Sequence, residues 1–142
     1  MRLPASSTPA FESEGRASRG SLFRVGLFGA VATGGALGGL TRALTAEISA
    51  SWPWPTLIVN LAGAFVLGVA VVYGRRHWPL PLMAGVTVGL LGALTTFSTL
   101  AGELWSQQQA GDWVGLAAYV AASGVGGLLA AVAGLRLGRV VR

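Results

Sequence analysis

Four long apolar segments, separated by short polar connectors, dominate the pattern of the chain. Each segment is close to the ~20 residues that an α-helix needs to cross a bilayer. The run lengths, and the absence of ten-residue alternating segments, favour helices over the strands of a barrel. The pattern predicts an all-α integral membrane protein with four transmembrane helices, at about residues 22–46, 55–74, 80–102 and 113–135.

The polar segment before the first apolar run, residues 1–20, reads MRLPASSTPAFESEGRASRG. It has no periodic apolar face, so we expect it to be a disordered tail. The apolar run that follows is too long for the core of a signal peptide, so we interpret it as a retained span. Residues 21–138 are therefore expected to form one four-helix transmembrane domain.

The composition agrees with a membrane protein. The 142 residues are 53% hydrophobic and 11% charged and include 22 glycines, more apolar surface than a soluble domain of this size can bury. Small residues let helices pack closely in lipid. The absence of cysteine excludes disulfides and thiol catalysis. No nucleophile–base pair, phosphate-binding loop or metal-ligand cluster is evident, so we do not expect an enzyme.

The arginines are distributed unevenly between the two sides of the predicted membrane region. The N-terminal tail, the second connector and the C-terminal end carry all of them except Arg42, which lies near the end of the first helix. Because cytoplasmic segments are enriched in arginine, this bias predicts that both termini are cytoplasmic.

Polar side chains inside the apolar segments are the candidates for function. Asn60 lies within the second segment, and Thr95, Thr96, Ser98 and Thr99 crowd the third, after two glycines. Threonine and glycine weaken a helix, so we predict that the third helix is broken near residues 92–96. Freed carbonyls at such a break can bind a small cation, and freed amides and hydroxyls can donate to an anion. The alternative is that these groups only join helices together.

Other polar residues give weaker signals. Tyr119, Ser123 and Gly127 share one face of the fourth helix, a spacing that a packing stripe of small residues explains equally well. Arg42 and Glu103 fall at the same predicted membrane face, so we expect a structural ion pair between them.

Three ordered motifs resemble the Fluc/CrcB family of small bacterial fluoride channels: GGALGGLTR (34–42), WPWPTLIVN (52–60) and GLLGALTTFST (89–99). The resemblance implies an antiparallel dimer in the bacterial inner membrane, with two pores through which fluoride leaves the cytoplasm passively. It also implies a structural Na⁺ at the dimer centre, held by the backbone carbonyls of Gly92 and Thr95. The implied fluoride pore residues are Asn60, Thr96, Phe97, Ser98, Tyr119 and Ser123.

The chain departs from the family pattern at two positions. Leu100 stands where a second phenylalanine is usual, and Gly127 where a second hydroxyl is common. Together with the arginine bias, which favours one orientation of insertion, these losses suggest a heterodimer with an oppositely oriented paralogue. The alternative is a homodimer that tolerates Leu100.

Two other classes of membrane protein fit the sequence less well. A proton-coupled exporter of the small multidrug-resistance type needs a carboxylate inside the first helix, and none lies between Phe23 and Leu40. A structural membrane subunit accounts for the glycines but not for Asn60, the hydroxyl cluster and Phe97 together.

Overall fold

The computed structural model describes the backbone of residues 10–48 and 50–141, with side chains from residue 20 onward. Within these ranges the chain consists of helices and short connectors. We number the helices α1 (Ala10–Ala46), α2 (Trp54–His77), α3 (80–94), α4 (Phe97–Gln109) and α5 (Trp113–Val140). Two stretches are π-helical, Ala70–Gly74 within α2 and Gly85–Leu91 within α3.

Four segments are long and apolar enough to cross a membrane. They are Gly20–Ala46, Trp54–His77, Leu80–Gln109 and Trp113–Val140, and the third comprises both α3 and α4. The predicted plan of four helical spans is confirmed, and the protein is a multi-pass membrane protein.

Two helix boundaries differ from the predicted ones. The first helix begins at Ala10, within the segment that we expected to be disordered, and residues 1–9 lie outside the described residues. Alanine, glutamate and arginine in residues 10–20 have good helix propensity, and extending an existing helix avoids the unfavourable nucleation step. The third span ends at Gln109 rather than near residue 102, because Glu103 and the glutamines also favour helix.

The helices pack as two pairs, α1 with α3 and α2 with α5. Glycine allows the backbones to meet directly in both pairs. A Cβ atom on Gly38 would overlap the carbonyl oxygen of Leu90, and one on Gly134 would overlap that of Phe65. Without a hydrophobic driving force between helices in lipid, this close approach is a main source of attraction.

The third span is interrupted between α3 and α4. Thr95 (φ −76°, ψ 137°) and Thr96 (φ −138°, ψ 123°) have extended backbones, and α4 begins at Phe97. This interruption lies within the segment where the sequence predicted one. Before it the span packs against α1, and after it against α5, so the break lies where the chain passes from one helix pair to the other.

Candidate functional site

The side chain of Asn60, on α2, binds the interrupted backbone of the third span. Its Oδ1 accepts from the amide of Thr96 at 2.9 Å, and its Nδ2 donates to the carbonyl of Thr96 at 3.3 Å. Backbone that leaves a helix at membrane depth must find partners, since lipid offers none. One carboxamide satisfies both polar groups of the most extended residue, and the second N–H of Nδ2 remains for another acceptor.

Two carbonyls at the break lose the donors that a continuous helix would supply. In a regular α-helix the amide of Thr96 would donate to the carbonyl of Gly92, and that of Thr99 to the carbonyl of Thr95. Here the amide of Thr96 binds Asn60, and the amide of Thr99 donates to the Thr96 hydroxyl at 3.2 Å. The two carbonyls to which the sequence resemblance assigns Na⁺ are therefore without their helical partners.

The hydroxyls after the break form a small network at the start of α4. Thr96 caps the helix by accepting from the amide of Thr99, and its Oγ1 also donates to the Thr99 hydroxyl at 3.1 Å. Ser98 Oγ lies 3.1 Å from the same Thr96 oxygen. Threonine is a favoured N-cap residue because its side-chain oxygen satisfies a free amide of the first turn.

A carboxylate lies one turn further along α4. Glu103 Oε1 accepts from the hydroxyl of Thr56 at 2.6 Å, and Oε2 accepts from the hydroxyl of Tyr119 at 2.5 Å. Tyr119 is fully buried, and its ring meets that of Trp52 edge to face at 5.2 Å. Three helices, α2, α4 and α5, thus meet at one half-buried carboxylate.

The expected ion pair between Glu103 and Arg42 is not formed. No salt bridge joins them in the described part of the chain, and Arg42 is exposed while both Glu103 oxygens accept from hydroxyls. Placement at the same end of the membrane did not fix which way each helix turns its side chains. The sequence placed Glu103 at the end of the third span, but α4 continues to Gln109, so Glu103 lies inside the helix.

Two cavities lie on opposite sides of the break. The first, which we call the terminal cavity, has a volume of about 330 Å³ and lies at the arginine-poor end, where its lining includes Thr56, Thr99, Glu103 and Gln107. The second, the central cavity, has a volume of about 240 Å³ and is lined by residues of α2, of α3 and of the break, including Asn60, Thr87, Gly92 and Thr95. Asn60 lines the central cavity, and Thr56, Thr99 and Glu103 line the terminal cavity. Thr96 bonds both Asn60 and Thr99, so these five residues form a row of polar side chains from one cavity to the other.

Proteins of similar sequence identify the family to which this chain belongs. A family model described as CrcB-like protein, Camphor Resistance (CrcB), matches residues 29–135, which is more than half of the chain. The protein belongs to the CrcB family. The matched range includes the break, Asn60 and every polar residue of the row between the two cavities.

Several relatives of this CrcB-family protein carry the name fluoride-specific ion channel FluC. The Hahella chejuensis protein is 44% identical over 118 residues, which cover 78% of this chain and 93% of the relative. The Azotobacter vinelandii protein is 43% identical over 122 residues, covering 80% and 97%. The Bordetella petrii protein is 39% identical over 119 residues, covering 81% and 93%.

The other predicted pore residues of the CrcB-family protein lie in different surroundings. Ser123 Oγ is shielded from solvent and has no hydrogen-bond partner. Phe97 is 81% exposed on the surface of the single chain, and Ser98 beside it is also exposed. The structure therefore joins Asn60 to Thr96 and, separately, Tyr119 to Glu103, while Phe97 is exposed on the surface of the chain.

Thr56 and Gln107 were missed by the sequence analysis. Thr56 precedes Asn60 by four residues and therefore shares its helix face, a spacing that was readable from the sequence. Gln107 follows Glu103 by four residues, but it lies beyond the boundary that we predicted for the third helix. Its contact with the site depends on where α4 ends, which the apolar pattern did not show.

Proposed function

We propose that this protein is a passive fluoride channel that lets fluoride leave the cytoplasm. The observation that carries the proposal is the row of polar side chains across the break, in a chain whose relatives are named fluoride-specific ion channels. The family resemblance implies the inner bacterial membrane, and the arginine distribution favours an orientation with both termini in the cytoplasm.

Uncharged donors are suited to conducting fluoride. Moving even a carboxylate-sized ion into a medium of low dielectric costs on the order of 20 kcal/mol before relaxation, so replacement donors must be close and numerous. A buried arginine would hold the anion too firmly, since conduction requires sites that also release. In our proposal, the free N–H of Asn60 and the hydroxyls of Thr96, Ser98, Tyr119 and Ser123 supply the replacement contacts.

Phe97 has a separate role in this proposal. Its ring is largely exposed on the single chain, so in an antiparallel dimer it is available to the second subunit. The edge of an aromatic ring carries positive electrostatic potential, which favours an anion that meets the ring edge on. Each of two pores would then combine groups from both subunits, as the sequence resemblance implies.

A structural Na⁺ fits the break. Gly92 and Thr95 line the central cavity, and their carbonyls have lost their helical donors. Unwound backbone carbonyls at membrane depth are the groups that coordinate Na⁺ in other membrane proteins. In the described part of the chain, no cluster of three or more His, Cys, Asp or Glu side chains offers another metal site. We therefore propose that these two carbonyls hold Na⁺ where two subunits meet.

The partner subunit is proposed to be a paralogue inserted in the opposite orientation. Gly127 has open space around it, since a Cβ there would meet nothing within 4 Å in the single chain. A second chain could fill this space and supply the hydroxyl and the second phenylalanine that Gly127 and Leu100 do not provide. Robust fluoride flux from the chain purified alone would instead favour a homodimer.

Proton-coupled fluoride transport is a second candidate, because Glu103 lies within the third span. The two functions differ in how charge moves. A passive channel carries net charge, so fluoride leaves potassium-loaded liposomes only after valinomycin provides a path for potassium. Co-transport with a proton is electrically neutral and proceeds without valinomycin. We expect flux to depend on valinomycin, and flux without it would favour the proton-coupled candidate.

The site assignment is tested by fluoride and chloride efflux from liposomes containing the chain, alone and with its partner subunit. We expect wild type to release fluoride much faster than chloride, and Asn60→Asp and Phe97→Ile to slow fluoride release. Phe28→Ile, at a phenylalanine of α1 with 71% exposure, is the matched control and should behave as wild type. Equal release of the two halides, or unchanged rates in both site variants, would show that the assignment is wrong.

A further inference from the structure

Gln107 is a polar residue in α4 that neither the sequence motifs nor the family resemblance brings into the site. Both polar atoms of its carboxamide, Nε2 and Oε1, are shielded from solvent and have no hydrogen-bond partner. Most buried polar groups in proteins are paired, because a buried donor or acceptor without a partner is destabilised. A group that offers hydrogen bonds to this carboxamide is therefore favoured at this position.

The position of Gln107 continues the row of polar side chains toward the end of the bundle. It follows Glu103 by one helical turn on the same face of α4, as Glu103 follows Thr99. It also lines the terminal cavity, together with Glu103 and Asp112. An ion that moves between the break and the arginine-poor end therefore passes from the level of Glu103 to that of Gln107.

Most donors near Glu103 are already engaged. The hydroxyls of Thr56 and Tyr119 both donate to its carboxylate, so binding an anion through them requires those bonds to break. The amide N–H groups of Gln107, in contrast, donate no hydrogen bond in the structure. The same carboxamide has an acceptor oxygen, so it can hold a water molecule of a partly hydrated ion while it donates to the ion itself.

The charges around the terminal cavity explain why a free donor matters there. Its lining includes the carboxylates of Glu103 and Asp112 and no arginine, lysine or histidine. An anion in this cavity is repelled by both carboxylates, unless donors nearby compensate. One oxygen of Asp112 is already engaged, because Oδ1 accepts from the amide of Gly115 at the start of α5. Gln107 lies between these two acidic residues in the sequence and is a neutral residue of the same cavity lining.

From these observations we propose that the Gln107 carboxamide, whose polar atoms are covered in the structure, turns into the terminal cavity when an anion is there and binds fluoride that enters or leaves at the arginine-poor end. This inference rests on the proposed channel function and extends its path by one helical turn. Gln107 then contributes to the rate and to the selectivity for fluoride, since a small anion gains more from a close N–H donor than a larger one.

Three substitutions test the proposal in the liposome assay, performed with the full chain and its partner subunit. Gln107→Leu removes the amide at similar volume, and Gln107→Glu removes the donors and adds a negative charge. Loss of one hydrogen bond to a charged group corresponds to a decrease on the order of 10-fold. We expect that decrease in fluoride efflux for Gln107→Leu and a larger one for Gln107→Glu. Gln108→Leu, at the exposed neighbouring glutamine, is the matched control and should leave the rate unchanged.

Two readouts separate binding from a structural role. First, Gln107→Leu should lower the ratio of fluoride to chloride release, whereas fewer folded channels would lower both rates alike. Second, titration of ¹⁵N-labelled protein with fluoride should shift the side-chain amide signal that Gln107→Leu removes, and chloride should not. The titration needs no flux, so it applies even if the wild type fails to conduct and the proposed function is wrong. Wild-type rates and selectivity in Gln107→Leu, or an amide signal that fluoride does not shift, would overturn the proposal.

Discussion

Replacing Asn60 with leucine removes both hydrogen bonds that α2 makes to the interrupted third span. Leucine has the same branching and the same number of side-chain heavy atoms as asparagine, so the substitution deletes the polar contacts while keeping the outline of the side chain. The amide and the carbonyl of Thr96 would then face an apolar environment, because each is bound to Asn60 in the structure. Neither group can return to a helical bond unless Thr95 and Thr96 give up their extended backbone.

The size of the loss in folding stability shows whether Asn60 makes an ordinary interhelical bond or satisfies backbone groups that would otherwise be unpaired. An ordinary side-chain hydrogen bond between membrane helices contributes about 0.6 kcal/mol on average. A buried backbone group left without a partner costs roughly 1–3 kcal/mol, so two such groups give about 2–6 kcal/mol. The bond from Nδ2 is long, at 3.3 Å, which places the expected loss toward the lower end of that range.

Reversible unfolding in mixed micelles of mild detergent and SDS measures this difference. We expect Asn60→Leu to lower the free energy of unfolding by about 2–4 kcal/mol, from the cost of unpaired backbone groups. Thr33→Val is the control, since the Thr33 hydroxyl bonds only the carbonyl of Gly29 within its own helix. A loss below about 1 kcal/mol for Asn60→Leu would refute the reasoning and indicate an ordinary interhelical bond.

Further predictions concern packing and the carboxylate. Gly134→Leu should destabilise the fold by at least about 1–3 kcal/mol, because its side chain would overlap the backbone of α2, whereas Gly124→Leu projects into open space and should be neutral in the same unfolding assay. Glu103→Gln should cost about 1 kcal/mol, since an amide nitrogen cannot accept a hydroxyl bond. Tyr119→Phe removes one of the two bonds to that side chain, so the double variant should lose less stability than the sum of the single losses. Strict additivity would mean that the two side chains are not coupled.

The spans and the interruption were predictable because each depends on local composition. Apolar runs of sufficient length determine where the chain crosses the bilayer, whatever the helices later contact. The break at Thr95–Thr96 follows from residues that weaken a helix at that place in the chain. The same local reasoning placed Asn60 next to protein rather than lipid.

The partners of Glu103 were not predictable from the sequence. They depend on how α2, α4 and α5 are rotated about their axes, which hydropathy does not encode. Arg42 and Glu103 share an end of the membrane, yet the carboxylate faces Thr56 and Tyr119. The third span continues to Gln109, past the charged Glu103 at which the apolar pattern stops, so hydropathy alone predicts its end too early. The start of α1 at Ala10 was not predicted, because the residues before the apolar run are polar but still favour helix.

The junction between Asn60 and Thr96 also has a consequence for biosynthesis. Chains emerge from the ribosome amino end first, so α2, with its carboxamide, is synthesised before the two threonines that need it. The third span on its own would enter the bilayer with unpaired backbone groups, which lipid does not tolerate. Its insertion should therefore depend on a preceding segment already being in place, and a polypeptide that begins after α2 should integrate poorly on its own.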